Sequence, residues 1–331
     1  KRYCIKDLIM SKARELAELG AVYDSGALSN RNFIINGAMQ VFQRGTSFSG
    51  NSAYNADRWK VDNNSGGGGQ STDAPDGFTY SLKINPSSGD AAPRQAIELP
   101  AAGEGGVFRS GQKFTLSFYL KSDNAGESIN IFIASGTNVD ATTTSQVNDT
   151  STGLTTATSW TRYTYTFTSN NVGGSDTCYN IVPYVGSPSG AIYLTGVQLE
   201  LGTEATPFEH RSFGQELALC QRYFYRTARG TTGSVDDAYI GIGRGGNASN
   251  TSETFFSHPV FMRASPTVTF DGNIVANDGS AMASSGVSTL EVGVRGGFVY
   301  GTGHASGITI NEALRTYFQS DGEGMNVDAE L

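Results

Sequence analysis

The chain has 331 residues, of which 38% are hydrophobic, 42 are glycine and only 9 are proline. This composition favours several small β-cores built from short strands and tight turns, and it leaves little room for long helices. The formal net charge of −8 argues against binding to nucleic acid. No run approaches the ~20 consecutive apolar residues that a membrane-spanning helix needs. We therefore expect a soluble protein without a nucleic-acid partner and without membrane insertion.

The first predicted element is a short amphipathic helix. Apolar residues recur at helical spacing between Ile5 and Leu19, and Gly20 follows where a helix commonly ends. The helix either packs on its own domain or serves as an attachment or trimer-seam helix. The sequence begins at Lys1 rather than Met, and whether it is a trimmed piece of a longer chain is left open.

Residues 32–207 show the alternation of a β-sandwich. In Phe114–Lys121 apolar and polar residues alternate, as in a strand with one buried face. Three more segments repeat the pattern: Ile129–Ile133, Tyr163–Thr168 and Ile192–Leu201. Clusters of Gly, Ser, Asn and Asp separate these segments, which predicts an antiparallel sandwich.

Two stretches within this region are poor in apolar residues. They are Gly66–Gly69 and Thr142–Thr156, and both are predicted to be long surface loops. Loops of this kind carry recognition in many β-scaffolds.

A second helix is predicted within residues 208–229. Ser212 precedes Gln215 by three positions, as in a capping box, and four apolar residues follow one side: Phe213, Leu217, Cys220 and Phe224. Strands return in residues 230–331, at Ala238–Ile242, Thr254–Phe261, Pro266–Phe270 and Thr289–Val294. We expect a connecting helix followed by a smaller C-terminal β-domain.

Neither a metal nor a cofactor is indicated by the sequence. Cys4, Cys178 and Cys220 fit no metal spacing, and their odd number favours three buried thiols in a protein assembled in a reducing cytoplasm. The three histidines lie far apart and are predicted to be surface or interface residues: His210, His258 and His304. Acidic residues of the C-terminal part are predicted to lie in solvated turns, with a structural calcium ion as the alternative: Asp236, Asp237, Asp321, Glu323, Asp328 and Glu330.

No catalytic pattern stands out either. The glycine-rich run Gly241–Gly246 opens no predicted helix and lacks the Lys-Ser/Thr pair of a phosphate loop. No serine lies in a nucleophile elbow, and no Asp or Glu is singled out by its surroundings as half of a glycosidase pair. We therefore expect no enzymatic activity and no catalytic residue.

Aromatic side chains are the candidates for ligand binding, because sugar rings stack on aromatic faces. Trp59 and Trp160 are more typical of a sandwich core than of a sugar platform. Tyr119 lies opposite the apolar face of its strand, so it is the predicted ligand-binding residue.

Several segments resemble a module that is widespread in bacteriophage tail-fibre and virion proteins. Its opening signature is matched at Asn32–Gly37, Gln43–Ser47 and Tyr54–Trp59. Its closing signature is matched at Ile192–Glu200, Ala205–Glu209, Glu216–Leu217 and Cys220–Tyr223. Sequences near the C-terminus, from His258 to Thr267 and from Asp328 to Leu331, are also similar to the ends of such phage proteins.

A second resemblance concerns Trp160, Tyr163 and the strand that ends the module. Together they resemble jelly rolls that bind carbohydrate and are attached to polysaccharide-degrading enzymes. This implies a mainly β fold with an antiparallel jelly-roll sandwich, and a glycan as its ligand. The resemblance supplies no catalytic residues and no set of binding residues.

The resemblances imply a virion fibre or spike protein, assembled in the bacterial host cytoplasm and active in host attachment. Residues 32–207 would bind a host surface polysaccharide, and residues 1–31 would join other virion proteins. One alternative is an adaptor or capsid decoration protein without a ligand. Another is a polysaccharide-degrading tailspike, although such enzymes usually need a repeated solenoid and no regular period occurs here.

The chain is also expected to form a homotrimer, with residues 230–331 nearest the axis. Apolar residues lie on more than one side of the second predicted helix, including Leu219, Tyr223 and Tyr225, which implies a partner. Three copies follow from the resemblance, since closed symmetry alone favours a dimer. The competing interpretation is that the C-terminal domain covers this helix within one chain.

Overall fold

The computed structural model describes residues 31–50, 53–62, 66–99, 106–140, 142–170, 172, 175–227, 239–247, 250–272, 274–277, 281–304, 308–318 and 324–330. The predicted helix Ile5–Leu19 and Cys4 lie outside these residues, as do four of the acidic residues: Asp236, Asp237, Asp321 and Glu323. In the described part of the chain, no helix has the length and apolar character needed to cross a membrane.

The chain divides into two compact units. Among the described residues, the first unit comprises 31–40 and 46–212, and the second comprises 41–45 and 213–330. The second helix, predicted to be a connector, therefore groups with the second unit.

The first unit contains twelve strands, which are β1 (Ser47–Ser49), β2 (Ala53–Tyr54), β3 (Lys60–Asp62), β4 (Gly67–Ser71), β5 (Ser81–Asn85), β6 (Ala92–Glu98), β7 (Lys113–Ser122), β8 (Ile129–Gly136), β9 (Thr142–Asp149), β10 (Thr161–Thr168), β11 (Cys178–Val185) and β12 (Ile192–Leu201). They form two six-stranded antiparallel sheets, in the orders β1-β4-β5-β12-β7-β10 and β2-β3-β6-β11-β8-β9. We call these the first sheet and the second sheet. From β5 to β8 and from β9 to β12, consecutive strands alternate between the two sheets, as in a jelly roll.

The apolar residues of alternating strands form the core of this sandwich. On β7, Phe114, Leu116 and Phe118 are fully buried, and on β8 Ile129 and Ile131 are fully buried. The predicted mainly β fold with an antiparallel sandwich is confirmed, and each of the four predicted sandwich strands is present.

The first predicted surface loop is a strand instead, and so is the first half of the second, up to Asp149, whereas residues 150–156 lie outside the strands. The glycines of Gly67–Ser71 form β4, because a chain without side chains can approach its neighbours closely: a Cβ on Gly68 would lie 2.1 Å from the Lys83 carbonyl oxygen and 2.7 Å from the Phe48 ring. The Thr-rich segment forms β9, which lies at the edge of the second sheet and pairs with β8. An edge strand can be polar because few of its side chains reach the core.

The second unit contains α1 (Phe213–Gln221), β13 (Phe224–Arg226), β14 (Tyr239–Gly245), β15 (Thr251–Ser257), β16 (Thr267–Asp271), β17 (Ile274–Asn277), β18 (Ala281–Ala283), β19 (Gly286–Gly293), β20 (Gly296–Thr302), β21 (Ala313–Phe318) and β22 (Gly324–Asp328). A three-stranded sheet has the order β13-β22-β16, and a seven-stranded sheet has the order β18-β17-β21-β14-β15-β20-β19. Residues of both sheets share one core, including Tyr225, Val327, Phe256, Val299 and Phe318.

The predicted second helix is shorter than expected, and this weakens the argument for a partner. Phe224 does not continue the helix but begins β13 and pairs with Asp328. Tyr223, Phe224 and Tyr225 are only 3%, 4% and 6% exposed, so their own chain covers them, whereas Phe213 is 56% exposed. Of the apolar residues assigned to a trimer contact, Tyr223, Phe224 and Tyr225 are therefore buried within the chain, whereas Leu217 and Leu219 are half-buried.

Candidate functional site

The outer face of the second sheet carries a pocket of about 170 Å³. We call it the second-sheet pocket. Residues from three neighbouring strands and from the turn before β6 line it: Asp90, Ala92, Arg94, Phe132, Val182 and Tyr184.

Strand alternation explains why these side chains share one face. On β8, Phe132 lies between Ile131 and Ile133, which are both fully buried in the core. Because side chains alternate along a strand, Phe132 points to the outer face of the sheet. Val182 lies opposite Phe132 in the β11–β8 register, and Tyr184 lies two residues further along β11. The sandwich core thus fixes the direction of the aromatic residues that line the pocket.

Arg94 supplies a cation whose position is held by two contacts. Its Nη2 lies 2.7 Å from Oδ2 of Asp62 on β3, and its Nη1 donates a hydrogen bond of 2.5 Å to the carbonyl oxygen of Val139. Lys60, which lies opposite Arg94 on β3, forms a second ion pair with Asp140. The guanidinium is therefore fixed beside the pocket with its charge balanced.

Asp90 and Tyr184 form the other polar side. Oδ1 of Asp90 accepts a hydrogen bond of 3.1 Å from the backbone N–H of Ser187. Burial, and to a lesser extent the negative charge of Asp90, raise the pKa of Tyr184. At neutral pH the Tyr184 hydroxyl is consequently protonated and able to donate a hydrogen bond.

The chemistry of this arrangement suits a small polar ligand with one apolar face. Phe132 and Tyr184 are both half-buried, so each offers part of a ring to a ligand, while Arg94 and Asp90 offer hydrogen bonds at the margin. Asp90 is the one carboxylate among the lining residues of the described chain, so no carboxylate pair lines the pocket.

Tyr119, the predicted ligand-binding residue, lies elsewhere. It is half-buried on the first sheet, and its ring centroid is 5.4 Å from that of Phe78. The centroid of the Phe78 ring also lies 5.0 Å from that of Phe208 and 5.1 Å from that of His210. Gly196 has a φ of +60°, and a Cβ there would lie 2.7 Å from the Phe78 ring and 2.8 Å from the Tyr119 ring. Tyr119 thus belongs to an aromatic cluster, and its role in ligand binding stays a prediction.

The two tryptophans differ in their environments. Trp59 is fully buried, and its Nε1 donates a hydrogen bond of 3.1 Å to the carbonyl oxygen of Asn36, as expected for a core residue. Trp160 is half-buried, and its Nε1 donates a hydrogen bond of 2.9 Å to Asp73. Lys121 forms an ion pair of 2.5 Å with the same carboxylate, so Trp160 lies in a polar surface cluster.

The remaining candidate residues have structural surroundings. His210 is exposed, but His258 and His304 are buried, at 9% and 5% exposure, because Tyr225 and Ser252 provide hydrogen bonds to them in the second unit. The surface prediction is therefore wrong for these two histidines. Cys178 and Cys220 are fully buried free thiols, as predicted.

Asp328 and Glu330, the described members of the acidic tail, pair with a cation of the chain. Arg44 lies 3.0 Å from Asp328 and 3.4 Å from Glu330. Within the described ranges, no group of three or more His, Cys, Asp or Glu side chains is placed to hold a metal ion. The glycine-rich run Gly241–Gly246 falls largely within β14, which ends at Gly245.

Sequence reasoning missed the residues of the second-sheet pocket. Phe132 carried a signal, since three consecutive apolar residues in an alternating strand place one apolar side chain on the outer face. Arg94 and Tyr184 carried none, because their proximity depends on the pairing of β6 with β11 across more than eighty residues of sequence.

No family model matches the chain, and no curated protein matches it. Solved structures are loosely similar to its sandwich. They include a CBM4 structure, which is 20% identical with a TM-score of 0.33 over 50% of this chain and 98% of that one. The CBM22-1 xylan-binding domain of Paenibacillus barcinonensis Xyn10C is 12% identical, with a TM-score of 0.33, and the match covers 54% of this chain and 100% of that domain. The enzymatically active domain of bacteriophage CBA120 tailspike protein 4 is 15% identical, with a TM-score of 0.32, and the match covers 52% of this chain and 22% of that one. At these values the likenesses assign no function to this chain.

Proposed function

We propose that the chain binds a cell-surface carbohydrate in the second-sheet pocket and serves as a fibre or spike component of a bacteriophage virion. The observation that carries the binding proposal is the fixed guanidinium of Arg94 beside the partly exposed rings of Phe132 and Tyr184. Aromatic faces with a few fixed polar groups are the usual elements of a small-molecule site.

In this proposal the C–H face of one sugar ring rests on Phe132 and Tyr184. Ring hydroxyls then donate to Asp90 and accept from Arg94 and from the Tyr184 hydroxyl. A pocket of about 170 Å³ is smaller than the roughly 300 Å³ at the lower end of drug-sized sites, so it accepts only part of a polysaccharide. Affinity per site is therefore low, and several copies on one particle raise it by multivalency.

The virion part of the proposal rests on the sequence signatures at Asn32–Gly37, Gln43–Ser47 and Tyr54–Trp59. Three copies per assembly, other virion proteins as partners of residues 1–31, and host attachment belong to the same proposal. Binding without turnover also belongs to it, supported by a pocket in which Asp90 is the one lining carboxylate of the described chain.

One experiment separates this function from its alternatives. The full chain is incubated with capsular polysaccharide and lipopolysaccharide from bacterial hosts, and both retention and release of oligosaccharides are measured. We expect retention without release. Sustained release would instead identify a polysaccharide-degrading tailspike, and no retention on any host glycan would favour an adaptor or decoration protein.

A further inference from the structure

The seven-stranded sheet of the second unit carries an apolar stripe on its outer face. Ile242 on β14 is 69% exposed, Phe255 on β15 is 55% exposed and Phe298 on β20 is 37% exposed. Phe255 and Phe298 are opposite each other in the register, with ring centroids 5.6 Å apart. We call these three residues the apolar stripe.

The stripe lies on the side of the sheet that faces away from the core. Its sequence neighbours Thr254, Phe256 and Val299 are all buried, at 5% exposure or less. Because side chains alternate between the faces of a strand, the stripe residues point to the opposite face. Burial of the second unit's own core therefore leaves the stripe uncovered.

Opposite charges flank the two ends of the stripe. Arg315 on β21 is exposed and pairs in the register with Ile242. Glu291 is exposed in the bulge of β19, directly after Leu290, which pairs with Phe298. In the described part of the chain, neither side chain has an ionic partner. Four strand spacings separate β21 from β19, or roughly 19 Å, so the two charges do not meet within one chain.

The row beside the stripe is already balanced in charge. Arg244 lies opposite Glu253, and its Nε and Nη2 are 3.1 Å and 2.8 Å from the Glu253 carboxylate. Tyr300 follows opposite Glu253 on β20. The sheet therefore combines an apolar centre on its outer face, a neutralised neighbouring row, and exposed charges of opposite sign on the two strands that flank the stripe.

We propose that a second copy of this chain covers the apolar stripe, with Arg315 of one copy beside Glu291 of the other. A surface that carries its positive charge at one end and its negative charge at the other is complementary to itself. A contact between copies buries Phe255 and Phe298 and pairs both charges at once. This inference does not depend on the second-sheet pocket.

Charge reversal tests the contact directly. The mass of the full chain is measured by analytical ultracentrifugation at several concentrations, with Arg315→Glu, Glu291→Arg and the double variant compared with the unchanged protein. Each single variant places like charges together and weakens association by roughly tenfold or more, because like-charge contacts at an interface are costly. The double variant restores opposite charges and recovers the association.

Matched apolar substitutions provide the second arm. Phe255→Ser removes the centre of the stripe and weakens association, whereas Phe261→Ser removes a phenylalanine that is 64% exposed outside the stripe and leaves the mass unchanged. Circular dichroism checks that every variant is folded. Because the contact uses the same surface on both copies, a mass of two supports the stripe contact and contradicts the trimer, whereas a mass of three contradicts the stripe contact and supports the trimer.

Three further results would overturn the inference. They are a monomeric unchanged protein at micromolar concentration, single charge reversals that leave the association constant as it was, or a double variant no better than the single ones. Carbohydrate retention by monomeric protein would then still be measurable, so failure of the stripe contact is distinguishable from failure of the pocket.

Discussion

The hydroxyl of Tyr225 lies 2.9 Å from Nδ1 of His258 within the buried core of the second unit. The other ring nitrogen, Nε2, lies 2.8 Å from the carbonyl oxygen of Gly293 and can only donate to it. In neutral His258, Nδ1 therefore accepts the Tyr225 hydrogen. Burial lowers the pKa of His258, and the hydrogen bond to Gly293 opposes this shift only in part.

The second unit should accordingly lose stability in mild acid. The unfolded chain binds a proton at His258 near the ordinary pKa of 6.5, whereas the folded chain binds it only at lower pH. Stability from this residue is thus fully present above pH 6.5 and falls as the pH drops towards the lowered pKa. Urea denaturation followed by circular dichroism at pH 7.5 and 5.5 measures the change. Equal pH dependence in His258→Gln would show that another group is responsible.

The two tryptophans should differ in their importance for stability. Trp59→Ala removes a fully buried ring and its hydrogen bond to Asn36, and should lower the free energy of unfolding by about 3–5 kcal/mol. Trp160→Ala removes a half-buried ring and should cost about 1–2 kcal/mol. Urea denaturation of both variants makes the comparison. A larger loss for Trp160→Ala would mean that the core assignment of Trp59 is wrong.

Two glycines should respond to alanine in opposite directions. Gly68→Ala places a Cβ against the Lys83 carbonyl and the Phe48 ring, and should destabilise the first unit by about 1–3 kcal/mol. Gly214→Ala in α1 meets no atom within 4 Å, and should stabilise the second unit by about 0.5–1 kcal/mol. Thermal unfolding of each variant measures both signs. A neutral Gly68→Ala would be incompatible with the close approach in β4.

Arg44 should stabilise the second unit by stacking on an aromatic ring as well as by its charge. Its guanidinium lies 3.5 Å from the centre of the Phe224 ring and pairs with Asp328 and Glu330. Arg44→Ala should cost about 1–3 kcal/mol, and Arg44→Lys should recover only part of this, since an ammonium cannot stack flat on the ring and bind two carboxylates. Chemical denaturation compares the three proteins. Full recovery by lysine would show that charge alone matters.

The sequence predicted the strands whose two faces differ. Phe114–Lys121 alternates apolar and polar residues because one face packs on the core, and it lies within β7. The glycines of β4 and the polar residues of β9 gave no such pattern, since close packing stabilises the former and an edge position permits the latter. Phe224 was assigned to a helix because its spacing fits one, but pairing with Asp328 holds it in a strand.

The residues that line the second-sheet pocket could not be predicted from single strands. The alternation of β7 led to Tyr119, whose role in ligand binding stays a prediction, but it gave no reason to choose Tyr184. Tyr184 lies beside Arg94 only because the order of the second sheet places β11 next to β6. Single-strand alternation assigns a residue to a face, but strand order decides which faces meet.

The most direct measurement of the central claim compares two half-buried tyrosines on the two sheets. Isothermal titration of a host polysaccharide is performed with the full chain, with Tyr184→Ala and with Tyr119→Ala as the matched control. The second-sheet pocket predicts that Tyr184→Ala weakens binding by roughly tenfold, in line with the loss of about 1–1.5 kcal/mol of aromatic contact, while Tyr119→Ala binds like the unchanged protein. Loss of binding in Tyr119→Ala with full binding in Tyr184→Ala would contradict the pocket and assign the ligand to the first sheet.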